Sequence, residues 1–145
     1  MKSKFIAEAN GRTLAVVFDK GEEAATGLIE IAQRHNLTAA SFTAIGALSD
    51  VTLGYFDRER KDYKKIPIKE QVEALALTGN IALGDGQPKA HAHVVVGKSD
   101  GTAYGGHLLE AHVWPTLEVI LVESPRYLQR KIDPATGLAL IDPGA

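Results

Sequence analysis

Along this chain one segment carries a helical period, and runs that alternate like strands surround it. Between Gly21 and His35 the apolar positions Ala24, Ala25, Leu28, Ile31 and Ala32 recur every three or four residues, which lines them along one face of a helix. Asp19 is placed to cap that helix, with Glu22 as the acidic half of a capping box. Asn36 tolerates the left-handed backbone that stops it. Strand-like runs occupy residues 12–18, 39–45, 51–56, 63–68, 72–83, 90–96, 102–109 and 116–122. Turn signals such as Gly84-Asp85-Gly86-Gln87-Pro88 and Lys98-Ser99-Asp100-Gly101 separate them. One early helix followed by hairpin-like strands predicts an α+β domain, a central, mostly antiparallel sheet with the packing helix on one face. Pro67 has no N–H for a ladder and so belongs on an edge strand.

Of the 145 residues 45% are apolar, enough for one core but not two, so residues 1–145 are read as a single domain. Its core spans about 12–123; the tail, 124–145, reads as a turn followed by an apolar stub, 138–141, placed to dock on the core or on a neighbouring subunit. Lys and Arg number 16 against 18 Asp and Glu, a formal charge of -2, which argues against a strongly basic nucleic-acid module. The chain has no cysteine, which excludes disulfides, thiolate ligands and a cysteine nucleophile. The N-terminal residues lack the apolar stretch of a signal peptide, and no uncharged apolar run approaches the roughly 18 residues of a spanning helix. The expectation is a soluble, cytoplasmic domain without membrane contact.

Five histidines are present: His35, His91, His93, His107 and His112. His91 and His93 are two apart in a strand and therefore project from one face. The turn that follows suits a three-residue hairpin loop with Gly101 at positive φ. That register sets Lys98 opposite Thr102 and, counting back, His93 opposite His107, with His91 as the diagonal neighbour. Three imidazoles then point at one volume. Neutral imidazoles are favoured ligands of zinc and other divalent first-row ions, and three of them leave a position open for water or substrate. A slip of one residue would turn His107 to the other face. His112, an odd number of residues from His107, faces away as a surface or interface residue, and His35 complements the helix dipole.

Glu118 interrupts the apolar strand Thr116-Leu117-Glu118-Val119-Ile120-Leu121-Val122. On a solvated face it has no special role; buried, it is a candidate metal ligand, a partner that orients a ligand histidine, or a general base. Gly105 and Gly106 precede His107 and allow close backbone approach, to a bound ligand or to another strand. No dinucleotide or phosphate-loop glycine pattern occurs, and no nucleophile elbow surrounds Ser41, Thr43 or Ser49.

Four stretches carry a resemblance: Ile45-Gly46-Ala47-Leu48-Ser49-Asp50-Val51-Thr52-Leu53-Gly54-Tyr55-Phe56-Asp57, Leu77-Thr78-Gly79-Asn80-Ile81, His91-Ala92-His93 and Tyr104-Gly105-Gly106-His107-Leu108. In this order, over residues 12–123, the chain resembles the plants-and-prokaryotes-conserved (PPC) domain family. The resemblance implies an α+β subunit that forms a homotrimer, with His91, His93 and His107 as a metal site and Glu118 at the position of a late-strand family glutamate. Plant members carry basic AT-hook segments ahead of this domain; the chain has none. The segment Ala111-His112-Val113-Trp114-Pro115 is bulkier than the small-residue stretch usual at that place.

Three functions follow. The first is a trimer that binds a divalent metal, zinc above others, through His91, His93 and His107, and a small molecule in its cleft, with metal-assisted hydrolysis or lyase chemistry and Glu118 as proton acceptor. The second is a DNA-associated regulatory domain, for which Arg58-Glu59-Arg60-Lys61-Asp62-Tyr63-Lys64-Lys65 is the best local feature. The third is a structural trimer in which Trp114 and the apolar stub serve subunit contacts.

Overall fold

The computed structural model describes residues 1–7, 11–124 and 126–144. In chain order these form β1 (Lys2–Ala7), β2 (Thr13–Phe18), α1 (Ala24–Arg34), β3 (Ala39–Asp57), β4 (Asp62–Ile68), β5 (Val72–Gly84), β6 (Gln87–Gly97), β7 (Ala103–Glu123), β8 (Gln129–Ile132) and β9 (Ala139–Asp142). The sheet runs β1-β2-β7-β3-β5, and β6 bridges β5 to β7, so that β3, β5, β6 and β7 close on themselves. All ladders are antiparallel except a single parallel contact between β5 and β8. Strand β4 pairs with β3 alone, which places Pro67 on an edge as expected. The α+β architecture read from the sequence is present.

Two expectations change. Residues 39–45 and 51–56 are one strand, as are 102–109 and 116–122. Straight, the 21 residues of β7 would reach about 70 Å; bulges bend them instead. The β3–β7 register jumps between Gly46 and Leu48, between Leu48 and Asp50 and between Thr52 and Leu53. Gly46 sits at φ +154°, and a Cβ there would lie 2.2 Å from the Thr116 carbonyl oxygen. Pro115 falls in the matching gap, where Gly46 faces Leu117 and Leu48 faces Val113, so it owes the ladder no N–H. What reads as punctuation in the sequence is a bend within a continuous strand.

The helix begins at Ala24, capped by Glu23 rather than by Asp19. The Glu23 carboxylate accepts from the N–H groups of Ala25 (2.9 Å), Thr26 (2.7 Å) and, on β7, Ala111 (3.0 Å). That third bond is tertiary and overrides the local signal, while Glu22 turns back to accept from the Asp19 N–H at 2.7 Å. The helix ends at Asn36 with φ 52°, as expected. It buries Ala24, Leu28, Ile31 and Ala32, and Gly27 lies against Phe18, where any Cβ would collide with the ring.

Along β7, Leu117, Val119 and Leu121 point into the core beneath the helix while Glu118, Ile120 and Val122 point out. Inside the closed ring, Leu53, Val72, Ala74, Leu77, Val94, Val96 and Leu108 are buried. The tail stub is strand β9, paired with β8 as a hairpin against β5. Strand β1 gives little sequence signal because five of its six residues are exposed on an edge. No helix of the described residues is long and apolar enough to cross a membrane.

Replacing Gly46 by alanine sets a Cβ against the backbone of both Thr116 and Leu117 at a left-handed φ. A loss of about 3 kcal/mol or more is expected in urea unfolding, because overpacking and strained backbone each cost roughly 1–3 kcal/mol.

Candidate metal centre

The hairpin between β6 and β7 closes as the turn chemistry requires. The Lys98 N–H donates to the Thr102 carbonyl at 2.9 Å, and the Gly101 N–H donates to the Lys98 carbonyl at 2.9 Å. Gly101 adopts φ 83°. The Asp100 carboxylate accepts from the Thr102 N–H at 2.9 Å and its hydroxyl at 2.6 Å. The ladder above this turn pairs Gly97 with Ala103 and His93 with His107. On the other side of β6, Thr78 faces His93 and Asn80 faces His91. Residues paired across a ladder share a face, so the three histidines stand together on the outer surface of the ring.

Their rings are close. Centroids lie 5.1 Å apart for His91–His93, 5.1 Å for His91–His107 and 5.5 Å for His93–His107. The Nε2 atoms of His91 and His93 are 3.2 Å apart. Two nitrogens on one tetrahedral zinc, each at about 2.0–2.1 Å, sit roughly 3.3 Å apart. One ring nitrogen from each histidine lies within 4.8 Å of the other two, which makes His91, His93 and His107 the one such group among the described residues.

The surroundings disfavour the protonated form of His91 and His107. Burial, followed by the nearby His91 and His93, lowers His107 to about 4. Burial first, then His93 and Arg130, also lowers His91. His107 is held from above by Tyr63, stacked at 4.6 Å between centroids and 29° between planes. Gly54 makes room for that stack: it pairs with both His107 and Lys65, and a Cβ there would lie 2.8 Å from the Tyr63 ring. The Nδ1 of His107 is buried without a hydrogen-bond partner. Three converging imidazole nitrogens, one ring with an unsatisfied buried atom, fit a borderline divalent cation.

The other expected residues lie elsewhere. Glu118 is exposed, between Val17 and Ile45. Its neighbour Ile120 belongs to a cross-strand row with Thr43, Thr78 and His93, three strand spacings or roughly 14 Å of sheet from the histidine. Within one chain Glu118 therefore neither ligates a shared ion nor orients a ligand histidine. Gly106 serves strand packing, since a Cβ there would meet the Gly54 carbonyl at 2.9 Å, and Gly105 meets only ordinary contacts. His112 stays outside the triad as expected, its Nδ1 2.8 Å from Asp50, which raises its affinity for a proton. His35 stands at the helix C-cap. The basic run 58–65 is the exposed connection and start of β4, but its aromatic, Tyr63, is turned onto His107.

Beside the triad a cleft of about 280 Å³ opens, lined by Tyr63, His91, His107, Lys89, Arg130 and Leu140 among others. Sequence reasoning missed Tyr63, Asn80 and Arg130. Asn80 was within reach of it, because it sits opposite His91 in a predictable hairpin.

Folded His107 takes a proton only near pH 4, whereas an unfolded histidine does so near 6.5. The unfolded state thus binds more protons throughout that window. Stability of the metal-free protein is expected to fall as pH drops from 6.5 toward 4. In paired urea titrations at pH 7 and 5 the His107→Gln variant should show a shallower fall than the wild type.

Comparisons with known proteins agree with this fold. The family model for the Plants and Prokaryotes Conserved (PCC) domain matches residues 6–125. A plant- and prokaryote-conserved protein of Pyrococcus horikoshii is 38% identical, with TM-score 0.86 over 91% of this chain and 92% of that one. A metal-containing protein of Archaeoglobus fulgidus is 36% identical, with TM-score 0.84 over 97% of this chain and 99% of that one. A Bacteroides thetaiotaomicron protein, provisionally named as DNA-binding, is 28% identical, with TM-score 0.87 over 97% of this chain and 96% of that one. Bifunctional protein GlmU of a Synechococcus strain is 33% identical over 120 residues, 81% of this chain, yet the match spans only 18% of the length of that relative. With the matched segment running from within β1 to two residues beyond β7, the chain belongs to the Plants and Prokaryotes Conserved domain family.

Proposed function

We propose that the protein binds one divalent metal ion per chain, zinc above others, through His91, His93 and His107, and receives a small molecule in the adjoining cleft. The observation that carries this reading is the convergence of three imidazole ring nitrogens within 4.8 Å of one another. The metal-containing Archaeoglobus fulgidus relative supports it. A bound ion there would supply Lewis-acid chemistry, polarising a carbonyl or acidifying a water, which serves hydrolysis or lyase reactions. The chain's own contribution is to hold the donors: the ladder sets His93 against His107, and Tyr63 fixes the His107 ring. Gly106 lets the backbone of β7 pack closely against Gly54 of β3 beside His107, and Gly105 leaves the strand next to the triad without a side chain. Glu118 has no place in this chemistry within a single subunit.

A homotrimer is part of the same proposal. Val17, Ile45, Ile120 and Val122 share the outward face of β2, β7 and β3 and are 38%, 62%, 44% and 45% exposed. Such a contiguous apolar face marks an association surface, and Glu118 lies within it. The DNA-binding alternative draws on the provisional names of the Bacteroides thetaiotaomicron and Ralstonia relatives. In this chain the basic run spends its own aromatic, Tyr63, on His107.

Metal analysis of protein purified without a polyhistidine tag is expected to give one ion per chain, and His93→Ala to lose it, with little change in the unfolding midpoint of the metal-free protein because His93 is exposed. A wild type that stays metal-free under zinc dialysis would sink the reading. Sedimentation velocity should give a trimer, and Ile120→Asp, on an exposed core-free position, a monomer.

A further inference from the structure

The cleft beside the triad contains a cation without a counter-charge. Arg130, on β8, donates from Nη1 to the Ala139 carbonyl at 3.1 Å and from Nη2 to the Asn80 side-chain oxygen. Both partners are neutral. Its Nε is buried with no partner, and no acidic side chain among the described residues pairs with it. A half-buried guanidinium is costly to desolvate unless an anion meets it, and its planar fork matches a carboxylate. Asn80 pairs with His91 across the β5–β6 ladder, so the bond from Arg130 to Asn80 ties the guanidinium to the histidine side of the cleft. Lys89 also lines the cleft; Asp85, at the β5–β6 turn, is the one acidic residue of the lining. Leu138 and Leu140 of the β9 side make the opposite wall apolar.

We infer that this cleft is a carboxylate subsite: a small organic acid docks its carboxylate on Arg130 and Lys89, its carbon skeleton against Leu138 and Leu140, and a second oxygen toward the histidine triad. The second anchor rests on the metal reading; the first stands on Arg130 alone. Size narrows the class further. A volume of about 280 Å³ is at or below the lower end of ordinary small-molecule sites, so acids of a few carbons fit and nucleotide-sized ligands do not. Two cationic side chains against one anionic one give the cleft a positive balance before any metal is added.

The test uses the full chain with and without zinc and three probes: butyrate, its neutral isostere butyramide, and inorganic phosphate. Binding is read by NMR from the backbone amide resonances of the cleft lining, Ala90, His91, Ala139 and Leu140, which every variant retains, and metal affinity is read separately by competition with a chromophoric chelator. Butyrate is expected to bind and butyramide not. Arg130→Gln should weaken butyrate at least tenfold while leaving zinc affinity within twofold, and Arg130→Lys should recover part of the loss. Lys89→Gln, an exposed change with no bearing on the fold, should weaken butyrate several-fold and covers the case in which Arg130→Gln does not fold. Equal butyrate binding in wild type and the Arg130 and Lys89 variants overturns the subsite, as does tighter binding of phosphate than of butyrate. Arg130-dependent butyrate binding in a protein that takes up no zinc supports the subsite and overturns the metal reading alone.

Discussion

The convergence of the three histidines depends on one cross-strand pair, His93 opposite His107. The turn at 98–102 sets that pair locally, and the core sets it globally. Leu108 is 5% exposed and packs within the ring opposite Leu53, one residue beyond His107. A register slip would move Leu108 out and an imidazole in. Losing the burial of one leucine costs about 1.5–3 kcal/mol, and every inward residue of the strand would be lost together. Closure of the ring thus dictates where the histidines stand, and the triad inherits its geometry from packing that has no chemical role of its own.

The same residue type meets opposite electrostatics at two places on β7. His107 lies half-buried beneath Tyr63 and beside two other imidazoles, and burial is the larger cause of its low proton affinity. His112, five residues along, is partly exposed next to Asp50 and gains proton affinity from that carboxylate. At neutral pH the first ring keeps a nitrogen lone pair free. A bulge in β7 separates the two environments, since the β3 register shifts between His107 and His112. Arg130 adds positive potential to the triad side, which further disfavours protonation of His91.

How much of this could be read in the sequence follows from how local each signal is. The triad was legible because Asp100 and Gly101 name their turn, and a period of two carries the register back to His93. The helix was legible in its apolar stripe, but its cap was not, because Glu23 is chosen by a bond to Ala111 on a strand 88 residues away. Gly46 and Pro115 look like breaks, and only their placement opposite each other turns them into a shared bend. Arg130 carried no signal at all. Its meaning comes from Asn80, a partner 50 residues earlier, and no pattern in the tail announces that contact. Glu118 gave the opposite lesson: an isolated carboxylate in an apolar strand is an outward residue when the neighbouring Ile120 and Val122 are outward too.

The two walls of the cleft come from different parts of the chain. His91 and His107 belong to the closed ring, whereas Leu138, Leu140 and Arg130 belong to the β8–β9 hairpin, beyond the segment that matches the family model. Among the described residues the hairpin is tied to the body by the parallel contact at Leu83, the backbone bonds of Leu128 with Leu83 and Thr38, and the bond from Arg130 to Asn80. The two walls are in this way independent in sequence: exchanging a dozen tail residues would redraw one side of the cleft while the three histidines and the interior that aims them stayed untouched.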